Sequence, residues 1–283
     1  MQTITTIKAL RATIRQWRQS GQSVAFVPTM GNLHAGHLQL VTTATQKADK
    51  VVVSIFVNPT QFGPHEDFNR YPRTEQQDQA VLLETGADLL FLPSIAEMYP
   101  QPAQTVVSVR DLSLLHCGIA RPGHFDGVAL VVCKLLNMVQ PDLLLLGEKD
   151  YQQLLIIRRM IADLNLPVEI QGVTTVREPD GLAMSSRNAY LTETDRLIAP
   201  LLYMGLCAAR DEILAGNADF SAIAAKQWLV LQNAGFAVEY FNICRSSDLL
   251  PATAEDMSLL ILVAAKLAET RLIDNVSFSK PSS

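Results

Sequence analysis

Five short apolar runs, at residues 24–27, 51–57, 88–92, 142–146 and 168–176, alternate with segments of helical spacing, and this rhythm constrains the fold more than any other feature. The runs are rich in Val, Ile, Leu and Phe and, most clearly in the first four, largely apolar rather than alternating, the pattern of strands covered on both faces. The segments between them can supply right-handed crossovers. Helices are expected at about residues 6–19, 38–48, 74–85, 127–139 and 151–164, the last closed by Pro167, since proline disfavours helix at the residue before it. The prediction is an α/β fold, a doubly wound parallel sheet over residues 1–176. After residue 176 the rhythm changes. Residues 177–181 make a turn, and helices at about 193–215 and 220–233 lead into strand-like segments at 237–243, 258–265 and 271–278. These predict a smaller α+β C-terminal domain over residues 177–283, ending in a frayed Ser-Lys-Pro-Ser-Ser tail.

An apolar content of 48% over 283 residues can fill a substantial core. The formal charge is −5, with 23 Lys and Arg against 28 Asp and Glu, which offers no basic face for a phosphate backbone. No nucleic-acid partner is expected. Cys117, Cys133, Cys207 and Cys244 form no C-x-x-C pair and read as small buried hydrophobes in a reducing compartment. The N-terminus lacks a charged region followed by an apolar stretch, and the longest apolar run, residues 259–265, is too short to span a bilayer. A soluble cytoplasmic protein with no membrane association is expected.

Four polar clusters fall at the carboxyl ends of the proposed strands, where open α/β sheets bind ligands. The first is Pro28-Thr-Met-Gly-Asn-Leu-His34-Ala-Gly-His37, at the junction of a strand with a helix. Unpaired N–H groups and the macrodipole at a helix start favour an anion, and two imidazoles on the first turn add directional donors. A helix-capping histidine beside an ordinary surface one is the plainer reading of the pair. Zinc is disfavoured, because H-E-x-x-H is absent and no cysteine lies nearby. Gly36 leaves room for a flat base against the backbone. The second cluster is Asn58-Pro-Thr-Gln61-Phe62, where Gln61 offers a donor and an acceptor to a small polar substrate. The third, Gly147-Glu148-Lys149-Asp150, puts an ammonium where a phosphate oxygen can sit. The fourth, Met184-Ser185-Ser186-Arg187-Asn188, suits a triphosphate tail. Taken alone, the second reads as a plain loop and the third as a surface charge run, and a flexible polar loop is the plainer reading of the fourth; their convergence at strand ends carries the argument. Arg121-Pro-Gly-His124-Phe-Asp-Gly127 reads either as a mobile lid or as a plain helix entry. Neither a G-x-x-x-x-G-K-[ST] loop, a G-x-G-x-x-G fingerprint nor a nucleophile elbow is present.

The histidine pair and the Ser-Ser-Arg loop resemble the HxGH and KMSKS-like signatures of the nucleotidyltransferase superfamily that includes class I aminoacyl-tRNA synthetases. The ordered set PTMGNLHAGH, SIFVNPTQF, YPRT, RPGHFDGV, GEKDYQQL, GLAMSSRN and RLIDN is similar to the pantothenate synthetase (pantoate–β-alanine ligase) family across nearly the whole chain. The resemblance implies a Rossmann-like N-terminal domain, a cytoplasmic homodimer, ATP as substrate and magnesium. It implies that pantoate carboxylate attacks the α-phosphorus of ATP to give pantoyl adenylate and pyrophosphate, and that the β-alanine amine then displaces AMP. On this resemblance His34, His37, Lys149 and Arg187 are the catalytic residues, with His37 the proton donor. ATP binding extends over Met30, Gly31, Asn32, Leu33, His34, Ala35, Gly36, His37, Gly147, Glu148, Lys149, Asp150, Val176, Met184, Ser185, Ser186 and Arg187. Gln61 and Gln153 are the pantoate contacts, Gln61 also the β-alanine contact, and Pro28, Met30, Val131 and Val132 enclose pantoate's methyls, plain helix packing being an equal reading of the two valines. The stretch Glu75-Gln-Gln-Asp78 departs from the adjacent acidic residues that relatives can carry, so no protein ligand is assigned to magnesium. A related adenylyltransferase with a phosphate acceptor, a tRNA synthetase and a nucleotide-sensing binding protein are the rival readings. The absence of an anticodon-binding region and the acidic balance count against the second.

Overall fold

The computed structural model describes residues 1–281. In chain order its elements begin β1 (Gln2–Ile4), α1 (Ile7–Gln19), β2 (Val24–Thr29), α2 (Ala35–Thr45), β3 (Lys50–Ile55), α3 (Glu75–Thr85), β4 (Leu89–Phe91) and α4 (Ile95–Met98). They continue with α5 (Cys117–Ala120), α6 (His124–Val139), β5 (Leu143–Gly147), α7 (Tyr151–Asp163) and β6 (Glu169–Val173). The C-terminal part holds α8 (Glu193–Ile198), α9 (Leu201–Leu214), α10 (Phe220–Asn233), β7 (Ala237–Arg245), β8 (Ser258–Leu267) and β9 (Thr270–Ser279).

Strands β1 to β6 form one parallel sheet in the order β1-β4-β3-β2-β5-β6. Successive residues of its central strands point to opposite faces. Val24, Phe26, Val52, Leu89, Phe91 and Leu144 pack beneath α1, α6 and α7, while Ala25, Val27, Val51, Val53, Leu90 and Leu145 pack against Leu40, Val41, Ala44 and Leu82 of α2 and α3. Helices on both faces explain why the central runs lack polar alternation. At about 1.5–3 kcal/mol for each fully buried Val, Leu or Phe, this two-sided core outweighs the exposed ion pairs, worth about 0–1 kcal/mol each. Strands β7, β8 and β9 form a separate antiparallel sheet in that order. One face carries α9 and α10 through Leu206, Ile213, Ile223, Leu231, Ile261 and Val263; on the other, Leu260 and Leu262 meet Leu155 of α7.

The expected α/β architecture with a smaller α+β C-terminal part is present, with differences at the edges of elements. The three-residue edge strand β1 went unread. The run 168–176 yields strand only at Glu169–Val173, an edge position with no fully buried residue. The single helix expected at 193–215 is two, α8 and α9, because Pro200 supplies no N–H to continue the first. Helix α2 starts at Ala35, earlier than expected, because His34 caps it. The expected frayed tail is paired through Lys280, whose backbone N–H donates to the Met257 carbonyl at 2.9 Å; Ser282 and Ser283 lie outside the described residues. All four cysteines are free thiols. No helix among the described residues is long and apolar enough to cross a membrane.

Arg177, at the start of the C-terminal part, ties it to β9. Its guanidinium donates to both carboxylate oxygens of Asp274, at 2.6 and 3.0 Å, and to the Gly181 and Asn275 carbonyls, while stacking 3.6 Å from the Tyr203 ring centroid. The Asp274 side chain is 2% exposed. Removing one partner of such a pair strands the other charge in a medium that solvates it poorly. Arg177→Ala should therefore cost about 3–5 kcal/mol of unfolding free energy, read from denaturant unfolding, with Asp274→Asn in the same background recovering part of the loss.

Candidate active site

The sheet reverses direction of growth at β2: β3 and β4 lie on one side, β5 and β6 on the other. Loops leaving the carboxyl ends of β2 and β5 therefore diverge around a crevice, the place where such sheets receive ligands. His34 and His37 follow β2, and Lys149 follows β5.

The β2 loop is shaped by three devices. Gly31 sits at φ +84°, where a side chain would be strained and a Cβ would stand 3.0 Å from Ile55 and 3.1 Å from Asp78. Asp78 on α3, buried at 3% exposure, accepts the backbone N–H groups of Asn32 and Leu33 at 2.9 and 2.8 Å, one on each carboxylate oxygen. Both of its oxygens are thus engaged in holding the loop. His34 then caps α2: its Nδ1 accepts from the Gly36 N–H at 3.2 Å, and His37 Nδ1 accepts from the His34 N–H at 3.3 Å. A Cβ on Gly36 would stand 3.0 Å from the His34 ring, so this glycine accommodates the imidazole itself.

Capping engages only the Nδ1 side of each ring. Because both Nδ1 atoms accept backbone protons, both rings hold their proton on Nε2. The rings lie 4.1 Å apart between centroids. Burial, then the charge of Lys149, lowers the His34 pKa from 6.5 to about 4; burial, then the neighbouring His34 and Lys149, lowers that of His37 to about 3. At neutral pH the pair presents uncharged N–H donors.

The fourth cluster closes on the first. Ser186 Oγ donates to the Asn32 carbonyl at 3.0 Å, and Asn32 Nδ2 donates to the Ser186 carbonyl at 3.3 Å. Ser185 caps the following 3-10 turn by accepting the Arg187 N–H. Arg187 pairs with Asp67 through two hydrogen bonds, at 2.8 and 2.9 Å, and lies 5.3 Å from the Tyr71 ring centroid.

A cavity of about 240 Å³ is lined by Met30, His34, Gly36, His37, Gln61, Gly147, Lys149, Asp150, Gln153, Val176, Met184, Ser185, Ser186 and Arg187, with Pro28, Val131 and Val132 on its apolar wall. It adjoins a cleft of about 790 Å³ that shares Gln61, Lys149, Asp150, Gln153, Ser185 and Arg187 with it. Of the expected residues, Gly31, Asn32, Leu33, Ala35 and Glu148 do not line the smaller cavity. The first three shape the loop, Ala35 is exposed on the first turn of α2, and Glu148 lies against Gly172 of β6.

Gln61 is held by its neighbours: Oε1 accepts from Asn58 Nδ2 at 3.0 Å, and Nε2 faces Met30 Sδ at 3.2 Å. Asn58, 1% exposed, also donates to the Gly127 carbonyl at 3.1 Å. A Cβ on Gly127 would come within 2.3 Å of the Thr60 carbonyl oxygen, so only glycine lets α6 approach this turn. His124 opens α6; its Nδ1–H donates to the Gln61 carbonyl at 2.8 Å while Nε2 accepts from Arg121 at 3.0 Å. The helix-entry reading of His124 thus describes its position, and its ring supports Gln61. In the sequence Asn58 stands out only as a member of its cluster, and Tyr71 and Asn275 only within the YPRT and RLIDN motifs, while Asp67 carries no local signal of a place in this site.

Chemically, the cavity joins two neutral imidazole donors, a helix N-terminus, an ammonium and a guanidinium on one side with apolar walls and two amides on the other. Such an array stabilises negative charge building on a phosphoryl group beside a small polar substrate.

The family model for pantoate-beta-alanine ligase matches residues 2–277. The chain belongs to the pantoate-beta-alanine ligase family. It is 54% identical over 278 residues to the pantothenate synthetase of Pseudomonas fluorescens strain SBW25, covering 98% of each chain. It is 54% identical over 281 residues to that of Methylococcus capsulatus, covering 99% of this chain and 98% of the relative. The crystal structure of a Thermus thermophilus pantothenate synthetase superimposes with a TM-score of 0.93 at 46% identity, over 98% of this chain and 99% of that one. The Francisella tularensis pantoate-beta-alanine ligase, complexed with beta-gamma ATP and beta-alanine, superimposes with a TM-score of 0.81 at 34% identity, over 98% of this chain and 97% of that one. The chain is an enzyme, a ligase of pantothenate biosynthesis.

Two outcomes follow from this geometry. By NMR, His34 and His37 should show the neutral Nε2–H tautomer at pH 6 and begin to titrate only as the pH approaches 4, for the first, and 3, for the second. The unfolded rings take up protons near 6.5, so in this window the unfolded chain binds more protons and the pair's contribution to stability is lost as pH falls. Gly127→Ala should cost about 1–3 kcal/mol by forcing α6 from the Asn58–Gln61 turn, read as a lowered unfolding midpoint.

Proposed function

We propose that this enzyme condenses (R)-pantoate with β-alanine in two ATP-driven steps through pantoyl adenylate. The carrying observation is that the imidazole pair, Lys149, Arg187 and both glutamines open onto one cavity at the β2/β5 crevice. The ATP and β-alanine in the Francisella complex support the same reading. In the first step pantoate's carboxylate oxygen attacks the α-phosphorus and the bond to pyrophosphate breaks. His34 and His37 donate from Nε2 to phosphate oxygens, Lys149 balances charge growing on the reacting phosphoryl group, and Arg187 receives the departing pyrophosphate. Met30, Gly31, Asn32, Leu33, Ala35, Gly36, Gly147, Glu148, Asp150, Val176, Met184, Ser185 and Ser186 complete the nucleotide site by contact or by shaping its loops. Gln61 and Gln153 orient pantoate, whose methyls face Pro28, Met30, Val131 and Val132. In the second step the β-alanine amine, oriented by Gln61, attacks the acyl carbon; AMP leaves and the amide forms with loss of a proton. The apolar wall keeps water from the mixed anhydride.

Among the described residues no three His, Cys, Asp or Glu side chains cluster as a metal cage. Asp150, the sole carboxylate lining the smaller cavity, would be the protein group available to a magnesium ion otherwise held by phosphate oxygens and water. When bound, the ion neutralises polyphosphate charge. We further read residues 1–176 as the nucleotide- and pantoate-binding domain, residues 177–283 as a cap, and the working form as a cytoplasmic homodimer.

Purified enzyme given ATP and pantoate without β-alanine should release pyrophosphate and yield an acyl adenylate by mass spectrometry, and form pantothenate only once β-alanine is added. Acceptance of a phosphomonoester alone would instead indicate an adenylyltransferase. Lys149→Ala should slow adenylate formation by about two to four orders of magnitude with folding intact; unchanged turnover would remove the lysine from the chemistry.

A further inference from the structure

The catalytic lysine proposed above sits on a short 3-10 turn, Glu148–Asp150, between β5 and α7. A flexible four-carbon stem places its ammonium accurately only if the backbone beneath it is fixed. The turn is gripped from the C-terminal sheet. Asn275 of β9, 7% exposed, donates its side-chain amide to the Glu148 carbonyl and to the Lys149 carbonyl, both at 2.9 Å. These two carbonyls belong to the peptide planes immediately before and after the Lys149 Cα. One NH2 group, with both hydrogens used, thereby fixes the two planes between which the lysine side chain projects.

Asn275 is itself held firmly. Its backbone N–H donates to Asp274 Oδ1 at 2.7 Å, its carbonyl accepts from Arg177 at 3.2 Å, and β9 pairs it with Leu262 of β8. A continuous set of hydrogen bonds thus runs from the C-terminal sheet to the turn that bears Lys149.

We propose that Asn275 is a positioning residue that sets the direction of Lys149 and so makes adenylate formation depend on docking of the C-terminal sheet against the β5–α7 turn. The proposal rests on the assignment of Lys149 to the chemical step. Misplacing a catalytic group by about 1 Å costs on the order of a hundredfold in rate. Asn275→Ala should accordingly lower kcat for pantoate-dependent pyrophosphate release by about ten- to a hundredfold, with the KM for ATP nearly unchanged. A merely structural role would lower the fraction of active enzyme without this split, so active sites are counted by the pyrophosphate burst with β-alanine withheld.

The deciding measurement is a double-mutant cycle with Lys149→Ala. If Asn275 acts through the lysine, Asn275→Ala has no further effect once Lys149 is gone; equal fold-losses in both backgrounds would overturn the proposal, as would wild-type kcat in Asn275→Ala alone. If Lys149→Ala alone runs at the wild-type rate, the assignment of the lysine fails, and the positioning role fails with it. Circular dichroism and thermal unfolding accompany each variant. Should Asn275→Ala not fold, Asn275→Ser, which keeps a small polar group too short to span both carbonyls, carries the same cycle with the same expected and overturning results.

Discussion

Strand β2 is hydrogen-bonded to β3 on one side and β5 on the other, and the site depends on that pairing. The parallel arrangement points both carboxyl ends the same way, while the opposite directions of the following connections leave a crevice between them. Into it the sequence directs a histidine-capped helix from one strand and a lysine-bearing turn from the other. Groups far apart in the chain meet without any one loop needing to be long. The apolar core on both faces supplies the rigidity, since the central strands are almost wholly excluded from solvent.

Around this crevice, buried polar side chains serve chiefly to hold backbone. Asp78 grips two amides, Asn58 spans the turn bearing Gln61 and the first turns of α6, Ser186 and Asn32 exchange hydrogen bonds, and Asn275 spans two carbonyls. A neutral hydrogen bond adds only about 0.5–1.5 kcal/mol net, but an abandoned buried partner costs about 1–3 kcal/mol. Their contribution is therefore better understood as specificity of loop shape than as bulk stability. It is this fixed polar frame, set in advance of any ligand, that electrostatic catalysis requires.

The sheet was legible because two-sided burial writes itself as unbroken Val, Ile and Leu, and the candidate clusters were legible because each follows such a run. His34, His37 and Lys149 could be picked out by residue type at strand ends, and Arg187 by the Ser-Ser-Arg loop, well beyond the end of β6. What escaped were residues whose partners are distant: Asp67 answers Arg187 from 120 positions away, and Asn275 answers Glu148 from 127. No periodicity encodes such pairs. Asp78 carried a local signal, but an acidic residue in a polar first turn of a helix looks the same whether it meets water, a metal or two loop amides. The break between α8 and α9, by contrast, was signalled by Pro200, and the three-residue β1 was too short for any pattern to emerge.

The ion pair between Arg187 and Asp67 has a bearing on how tightly an anionic substrate is held. The guanidinium is already engaged by a carboxylate through Nε and Nη2, so an anion reaching it meets a cation whose charge is in part already balanced. The gain on arrival is less than that of filling an empty cationic pocket. On the role proposed for Arg187, such an arrangement would temper retention of the nucleotide and of the pyrophosphate left behind, and turnover benefits when neither lingers.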